Sequence, residues 1–156
     1  MKENDQLIIS LLREDSRMTL TKMSKKTNIP ISTLYERIKN YKDKVIKKHT
    51  SIVDFNSLGY SARARVLFKI KKNEREALKS FLSNSNYLNE LHKINNGFDF
   101  MAEFIFKNMQ ELEEYLDQVG EKFPIEDQQT YYLLDNIKEE NFLSKPHLLA
   151  VSSLKF

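Results

Sequence analysis

The chain has 156 residues, of which 40% are hydrophobic and 30% charged, a composition that suits one domain or two small ones with an apolar core. It contains no cysteine, which excludes disulfides and thiolate metal sites. No stretch approaches the roughly 18 continuous apolar residues of a membrane span, and the N-terminus lacks the apolar run of a signal peptide. We therefore expect a cytoplasmic protein with no membrane partner.

The net charge of +3 is unevenly distributed along the chain. Residues 1–50 hold 12 Lys/Arg and 6 Asp/Glu, whereas residues 51–156 hold 13 and 16. Between Arg17 and Lys48 the balance is 10 basic to 2 acidic residues. A basic N-terminal third on a mildly acidic remainder favours a polyanion partner for the N-terminal part, the alternative being a solvated basic face.

Two amphipathic segments and a turn open the chain. Leucine and isoleucine recur at helical spacing over Asp5–Glu14 and predict a first helix. Thr19 provides an N-cap for a second helix. Asn28 tolerates the left-handed conformation, and Pro30 disfavours helical geometry in the residue before it, so a turn is predicted at 28–31.

A third helix is predicted to follow this turn. Ser32 or Thr33 can cap it, and Thr33 with Glu36 has the spacing of a capping box. Its inner stripe consists of the residues at i, i+4 and i+7, namely Leu34, Ile38 and Tyr41. Beyond it, Val45–Phe55 alternates loosely and is rich in β-branched residues, which predicts a short hairpin or strand pair.

The rest of the chain predicts strands and helices in the order β-α-β-β-α-β. The strands are predicted at 62–70, 87–94, 98–106 and 129–134, the helices at 74–83 and 109–119, and a hairpin turn at 95–97. Ala77, Leu78, Phe81 and Leu82 form the predicted inner face of the first of these helices. This order is the split ferredoxin-like motif, whose antiparallel sheet carries both helices on one face. Leu67 and residues on both faces of 98–106 are apolar, so both sheet faces are predicted to be buried, which favours self-association.

The second and third helices meet most requirements of a helix-turn-helix DNA reader. Met23, Ile29, Leu34 and Ile38 occupy apolar positions of that motif, and Thr27 is the polar exception. Side chains of the third helix that can contact base edges or phosphates are Ser32, Thr33, Tyr35, Glu36, Arg37, Lys39 and Asn40. The alternative for Ser32 and Thr33 is simple capping.

Among these side chains, Arg37 and Lys39 are the leading DNA contacts, because a guanidinium can grip guanine at two points. The alternative for both is a solvated helix face. The neighbouring cations are predicted phosphate contacts or solubilising charges, and these are Lys25, Lys26, Lys47 and Lys48.

The run SRMTLTKMSKKTNIPISTLYERIKN, followed by VIKKHTSIVDFNSLGY, resembles the N-terminal region of the Lrp/AsnC (feast/famine) transcription regulators. The resemblance extends over about residues 5–140. It implies an α+β fold in which an N-terminal winged helix-turn-helix domain is joined to a C-terminal ferredoxin-like effector and oligomerisation domain. The corresponding boundaries are 1–55 for the DNA-binding domain, 56–61 for the linker, 62–140 for the second domain and 141–156 for a tail.

The resemblance also implies a sequence-specific regulator of double-stranded DNA that forms homodimers through its sheet and builds larger rings, such as octamers. It implies an amino-acid or other small-metabolite effector, with Asn96, Gly97, Phe98 and Asp99 near its site. Phe98 stands where an acidic residue is usual after the glycine. Lys44 replaces a glycine that is usual before the wing.

Two alternatives stand beside this prediction. A sirohaem decarboxylase is built on the same two-domain plan, but it needs His and Arg around a porphyrin, and His49, His92 and His147 are scattered. A metabolite sensor without DNA binding is the other, and the basic third helix argues against it. We predict no cofactor, no metal site and no enzymatic activity. The apolar tail 143–156 is predicted to form an extra strand or a subunit contact.

Overall fold

A computed structural model of the chain describes residues 3–42 and 44–149. The chain divides into two compact units. One contains the described residues up to Ile52 together with those from Ile137 onward, and the other is Val53–Asn136. Residues 137–140 therefore lie with the first unit, where Arg13 pairs with Glu140 across 2.7 Å, rather than with the ferredoxin-like domain.

The first unit is built on three helices, α1 (Glu3–Glu14), α2 (Leu20–Thr27) and α3 (Ile31–Tyr41). Thr19 caps α2 as predicted, since its hydroxyl accepts a hydrogen bond from the Lys22 amide at 3.2 Å. Asn28 ends α2 in the predicted left-handed conformation, with φ 55°. The buried core of the three helices consists of Ile8, Leu11, Met18, Met23, Ile29 and Leu34, against which Ile38 and Tyr41 pack.

The predicted start of α3 is wrong. The helix begins at Ile31 with Pro30 as its N-cap and no side-chain cap hydrogen bond, so neither Ser32 nor Thr33 caps it and the capping box with Glu36 does not form. The fixed φ of proline, here −57°, suits the position before a helix, and the Pro30 carbonyl accepts the Leu34 amide at 3.0 Å. The helix therefore starts before the residues chosen from the sequence.

The predicted strand pair at Val45–Phe55 is also wrong. These residues contain no strand, and the single bridge nearby joins Lys42 to Ile46. The amides of Val45 and Ile46 both donate to the Tyr41 carbonyl at 2.9 Å. These hydrogen bonds cap the end of α3 and are not part of a β-ladder. Strand propensity reflects packing on a pleated surface, and Val45 and Ile52, 48% and 64% exposed, have no such surface here.

The second unit has the predicted β-α-β-β-α-β order. Its elements are β1 (Ala62–Ile70), α4 (Arg75–Ser83), β2 (Leu88–Lys93), β3 (Phe100–Phe106), α5 (Met109–Lys122) and β4 (Ile125–Tyr132). The strands form an antiparallel sheet in the order β2-β3-β1-β4. The strand β4 begins four residues earlier than predicted. The prediction missed residues 125–128 because they are largely polar and exposed, so no apolar alternation marks them as a strand.

Helices α4 and α5 cover one face of the sheet, as predicted. The core between them contains the alternate β1 residues from Ala62 to Ile70, the aromatic side chains of β3, and leucines of both helices. Leu78 and Leu82 are buried there, whereas Ala77 is exposed, which corrects its predicted inward placement.

The opposite face of the sheet is more polar than predicted. At its centre lies Glu103, only 1% exposed, whose carboxylate accepts hydrogen bonds from Arg63, Arg65 and Asn89 at 2.8–2.9 Å. Burial alone would raise the pKa of Glu103, but these donated hydrogen bonds outweigh it and hold the pKa below its usual value. This face therefore has a satisfied charged centre.

The tail forms a short helix, α6 (Pro146–Leu149), and no strand in its described part. Arg13 of α1 holds the segment before it, since its Nε donates to the Phe142 carbonyl at 2.6 Å. The prediction for the rest of the tail, residues 150–156, falls on residues outside those that the structure describes.

Candidate nucleic-acid interface

The helix α3 divides the predicted DNA contacts into two groups. Those whose side chains are exposed are Ser32, Tyr35, Glu36, Lys39 and Asn40. Thr33 and Arg37 are half-buried on one flank of the helix. The core side of α3 is occupied by Leu34, so the exposed group forms a face directed away from the three-helix core.

Arg37 does not lie in the open on this face. Its Nη1 is 3.0 Å from Oδ1 of Asp5 in α1, and the Tyr41 hydroxyl donates to the same oxygen at 2.5 Å. The arginine and aspartate side chains are 31% and 20% exposed. Burial, and then the hydrogen bond to Asp5, raise the pKa of Tyr41 to about 12. The cluster ties α3 to α1, a role that sequence inspection missed because Asp5 is far from α3 in the chain.

A basic cleft runs beside α3. It has a volume of about 430 Å³, and its cationic and aromatic lining includes Lys39, Lys42, Lys47, Lys48, Tyr35 and His49. The structure thus brings Lys39 and Lys47 together, although they were predicted as separate contacts. Lys42, which also lines this cleft, was not among the contacts predicted from the sequence. Its position three residues after Lys39, on the same side of the helix, could have indicated it.

The other predicted phosphate contacts lie at the end of α2. Lys25 and Lys26 are exposed in its last turn, and the ammonium of Lys26 is 3.4 Å from a Glu14 carboxylate oxygen. Ion pairs this exposed contribute about 0–1 kcal/mol. A phosphate can therefore compete for Lys26 at little cost.

The turn between β2 and β3 has the geometry expected from its sequence. Asn96 and Gly97 both have positive φ, 65° and 95°, which confirms the hairpin turn. Asp99 is occupied within the fold, since one carboxylate oxygen accepts the Ile70 amide at 2.9 Å and the other lies 2.7 Å from Nη2 of Arg75. Of the four predicted effector residues, Asn96 and Gly97 are exposed, whereas Phe98 and Asp99 are half-buried.

Other kinds of site are not evident in the described part of the chain. Among residues 3–42 and 44–149, no group of three or more His, Asp or Glu side chains could hold a metal ion. No helix formed by these residues has both the length and the apolar character needed to cross a bilayer.

Comparison with known proteins supports the reading of the first unit as a DNA-binding element. Residues 1–44 match the family model for winged helix-turn-helix DNA-binding domains. The chain is 33% identical over 140 residues to the HTH-type transcriptional regulator FL11 of Pyrococcus horikoshii, and the match covers 89% of this chain and 93% of the relative.

Solved structures share the fold along most of the chain. The transcriptional regulator NMB0573 of Neisseria meningitidis, in complex with L-Met, is similar with a TM-score of 0.82 and 17% identity, over 89% of this chain and 93% of that one. LrpC of Bacillus subtilis is similar with a TM-score of 0.80 and 20% identity, over 88% and 97%. At these identities the structural likeness concerns the fold alone.

Proposed function

The chain belongs to the Lrp/AsnC family of DNA-binding transcriptional regulators, and on that premise we propose that it reads its operator by placing α3 in the major groove of double-stranded DNA. The observation that carries this proposal is the exposed polar face of α3 beside a cleft lined by lysines. A regulator of this kind works where the chromosome lies, which makes the cytoplasm its proposed location.

The contacts divide by chemistry. Side chains of the exposed face, from Ser32 near the helix start to Asn40, face the base edges. Lysines beside the helix, Lys47 in the cleft and Lys25 and Lys26 on α2, neutralise phosphates and set the register of the protein on the duplex. Arg37, held by Asp5, acts by fixing the angle of α3.

Lys39 tests the placement of α3. We expect Lys39→Gln to weaken binding to the chain's own promoter and to reduce the slope of log K against log salt by about one unit, because one phosphate or base contact is lost. Fluorescence anisotropy with the full chain at several salt concentrations measures both quantities. Lys79→Gln, in the second unit, is the matched control, and equal binding by the two variants would contradict the proposal.

An effector and a second copy of the chain complete the proposed function. The L-Met in the Neisseria relative supports an amino-acid ligand for this chain, near the turn 96–99. Apolar side chains on the sheet face opposite α4 and α5, namely Leu67, Met101 and Ile105, support pairing with a second copy, and the family fold supports a larger ring. Light scattering with and without a panel of amino acids tests the pairing and its response to an effector, and a monomer mass in every sample would exclude the pairing.

We propose no enzymatic activity. The relatives matched by sequence are transcriptional regulators, which supports a non-catalytic role. Absorbance titration with a tetrapyrrole tests the sirohaem decarboxylase alternative, and tight binding would revive it.

A further inference from the structure

Glu36 is an acidic side chain in an otherwise basic surface. It is the only carboxylate of α3, and the span from Arg17 to Lys48 contains 10 basic and 2 acidic residues. A carboxylate on a face that approaches DNA is repelled by every phosphate it passes. Its presence on the exposed face of α3 therefore calls for a compensating contact.

The usual structural uses of a helical glutamate are absent at Glu36. It takes no part in a cap, because α3 begins at Ile31 and has no side-chain cap hydrogen bond. The helix dipole favours acidic groups in the first turn of a helix, and Glu36 lies beyond the first turn of α3. Within the described residues, no hydrogen bond or ion pair involves Glu36, even though Lys39 is one turn further along.

The position of Glu36 on the helix is the one that faces a groove. At about 100° per residue, Glu36 lies about 160° around α3 from the buried Leu34. Ser32 and Asn40 flank it one turn before and one turn after, and both are exposed. A recognition helix in the major groove directs this strip at base edges, while its flanks approach the two backbones.

We propose that Glu36 reads the exocyclic amine of a cytosine in each operator half-site, an inference that rests on the proposed entry of α3 into the major groove. A carboxylate only accepts hydrogen bonds, and the donors in that groove are cytosine N4 and adenine N6. Adenine places its N7 acceptor beside N6, which repels a carboxylate, whereas cytosine offers its amine alone. Guanine and thymine present acceptors and are rejected. Glu36 thus converts the repulsion of phosphates into selection of one base.

Selection of binding sites from random duplexes, with the full chain, tests the assignment. The wild type is expected to fix a cytosine at one position of each half-site, preferred over other bases by about 5- to 150-fold. Glu36→Ala loses the preference at that position alone. Glu36→Gln moves it to adenine, since a glutamine pairs with adenine N6 and N7. Glu121→Ala, an exposed carboxylate of α5, is the control and selects the wild-type site.

A second measurement separates reading from a general charge effect. Replacing the selected cytosine with 2-pyrimidinone, which lacks the N4 amine, lowers wild-type binding below that of Glu36→Ala and leaves that variant unaffected. On random duplex Glu36→Ala binds more tightly than the wild type, because one repulsive charge is gone. A solvated glutamate would instead give tighter binding of Glu36→Ala to both DNAs, which overturns the inference.

The two proposals fail in different ways. If Lys39→Gln leaves operator binding unchanged, the entry of α3 into the groove is wrong. If Lys39→Gln weakens binding while both Glu36 variants select the wild-type site, only the reading by Glu36 is wrong. Circular dichroism of the Glu36 variants checks that this exposed substitution leaves the helices intact.

Discussion

Arg37 and Tyr41 both contact one carboxylate oxygen of Asp5, so Arg37 links α3 to α1. A helical pattern places Arg37 near the polar side of α3, but it cannot show that an aspartate of α1 reaches it. The bond distances of 3.0 Å and 2.5 Å make a charge-assisted cluster between the two helices. The ion pair with Asp5 thus gives Arg37 a structural role beside its predicted contact with DNA.

The raised pKa of Tyr41 predicts a loss of stability in alkali. Its pKa is 10.0 when unfolded and about 12 in the fold, so the stabilisation is complete below pH 10 and is lost as the pH rises towards 12. We expect Tyr41→Phe to flatten the fall in free energy of unfolding over this window. Urea unfolding at a series of pH values measures the effect, with Tyr35→Phe on the same helix as the control. If the free energy of unfolding fell equally with pH in the wild type and in Tyr41→Phe, the pKa of the Tyr41 hydroxyl would not be raised by the cluster.

At the scale of elements, the turn between α2 and α3 sets the direction of α3. Asn28 adopts φ 55° and ψ 23°, and its amide donates to the Ser24 carbonyl at 2.9 Å. The Ser24 hydroxyl donates to the Ile29 carbonyl at 2.7 Å, so the backbone groups of the turn are satisfied locally. The direction of α3 is thus fixed within a few residues.

Replacing Asn28 tests this turn. The left-handed conformation costs about 1–2 kcal/mol for a residue with a Cβ that is neither Asn nor Asp. We therefore expect Asn28→Ala to lower the free energy of unfolding by about 1 kcal/mol and Asn28→Gly to leave it nearly unchanged. Denaturant unfolding measures both, and Asn40→Ala on the exposed face of α3 is the control. A Gly variant as unstable as the Ala variant would contradict the explanation.

Sequence reasoning succeeded where the determining chemistry is local. The cap at Thr19, the left-handed Asn28 and the turn at Asn96 and Gly97 each depend on a residue and its near neighbours, and each is confirmed. It failed at Val45–Phe55, where strand formation requires a partner surface that local alternation does not reveal. It also failed at the start of α3, where it chose Ser32 or Thr33 as the cap. The helix begins at Ile31 after Pro30 and has no side-chain cap.

The candidate site was predictable in part for the same reason. Helical periodicity gave the exposed strip containing Glu36 and Lys39, since the apolar stripe fixes which side is free. The ion pair of Arg37 and the closeness of Lys39 to Lys47 depend on tertiary packing, so periodicity could not supply them.

At the scale of the whole molecule, the sheet face opposite the helices combines apolar side chains of the two central strands, Leu67, Met101 and Ile105, with the charged centre around Glu103. The side chains of Arg63 and Arg65 are 23% and 42% exposed, while the carboxylate between them is buried. A covering second copy would exclude water from this cluster, which is tolerable because the hydrogen bonds of the carboxylate are already made. The face is therefore better suited to specific dimerisation than to non-specific association.

Removing this carboxylate is expected to destabilise the second unit. Because the arginines keep some solvent, Glu103→Ala should cost about 2 kcal/mol, less than the ~3–5 kcal/mol of a fully buried pair. The pKa of Glu103 is lowered from its usual 4.5, so its contribution is present above pH 4.5 and is lost as the pH falls through the lower value. Urea unfolding of wild type and Glu103→Gln at pH 3 to 7 follows that loss. A stability difference that does not change with pH would contradict it.

The clamp between Arg13 and the segment around Glu140 has a consequence for synthesis. Val53–Asn136 is inserted in the chain between the two segments of the first unit. Chains emerge from the ribosome N-terminal end first, so the three helices can pack early, but the partners of Arg13 are made only after Val53–Asn136. The unit that contains α3 is therefore begun before the second unit is made and completed after it, and the contacts of Arg13 form only once residues 140–142 have been translated.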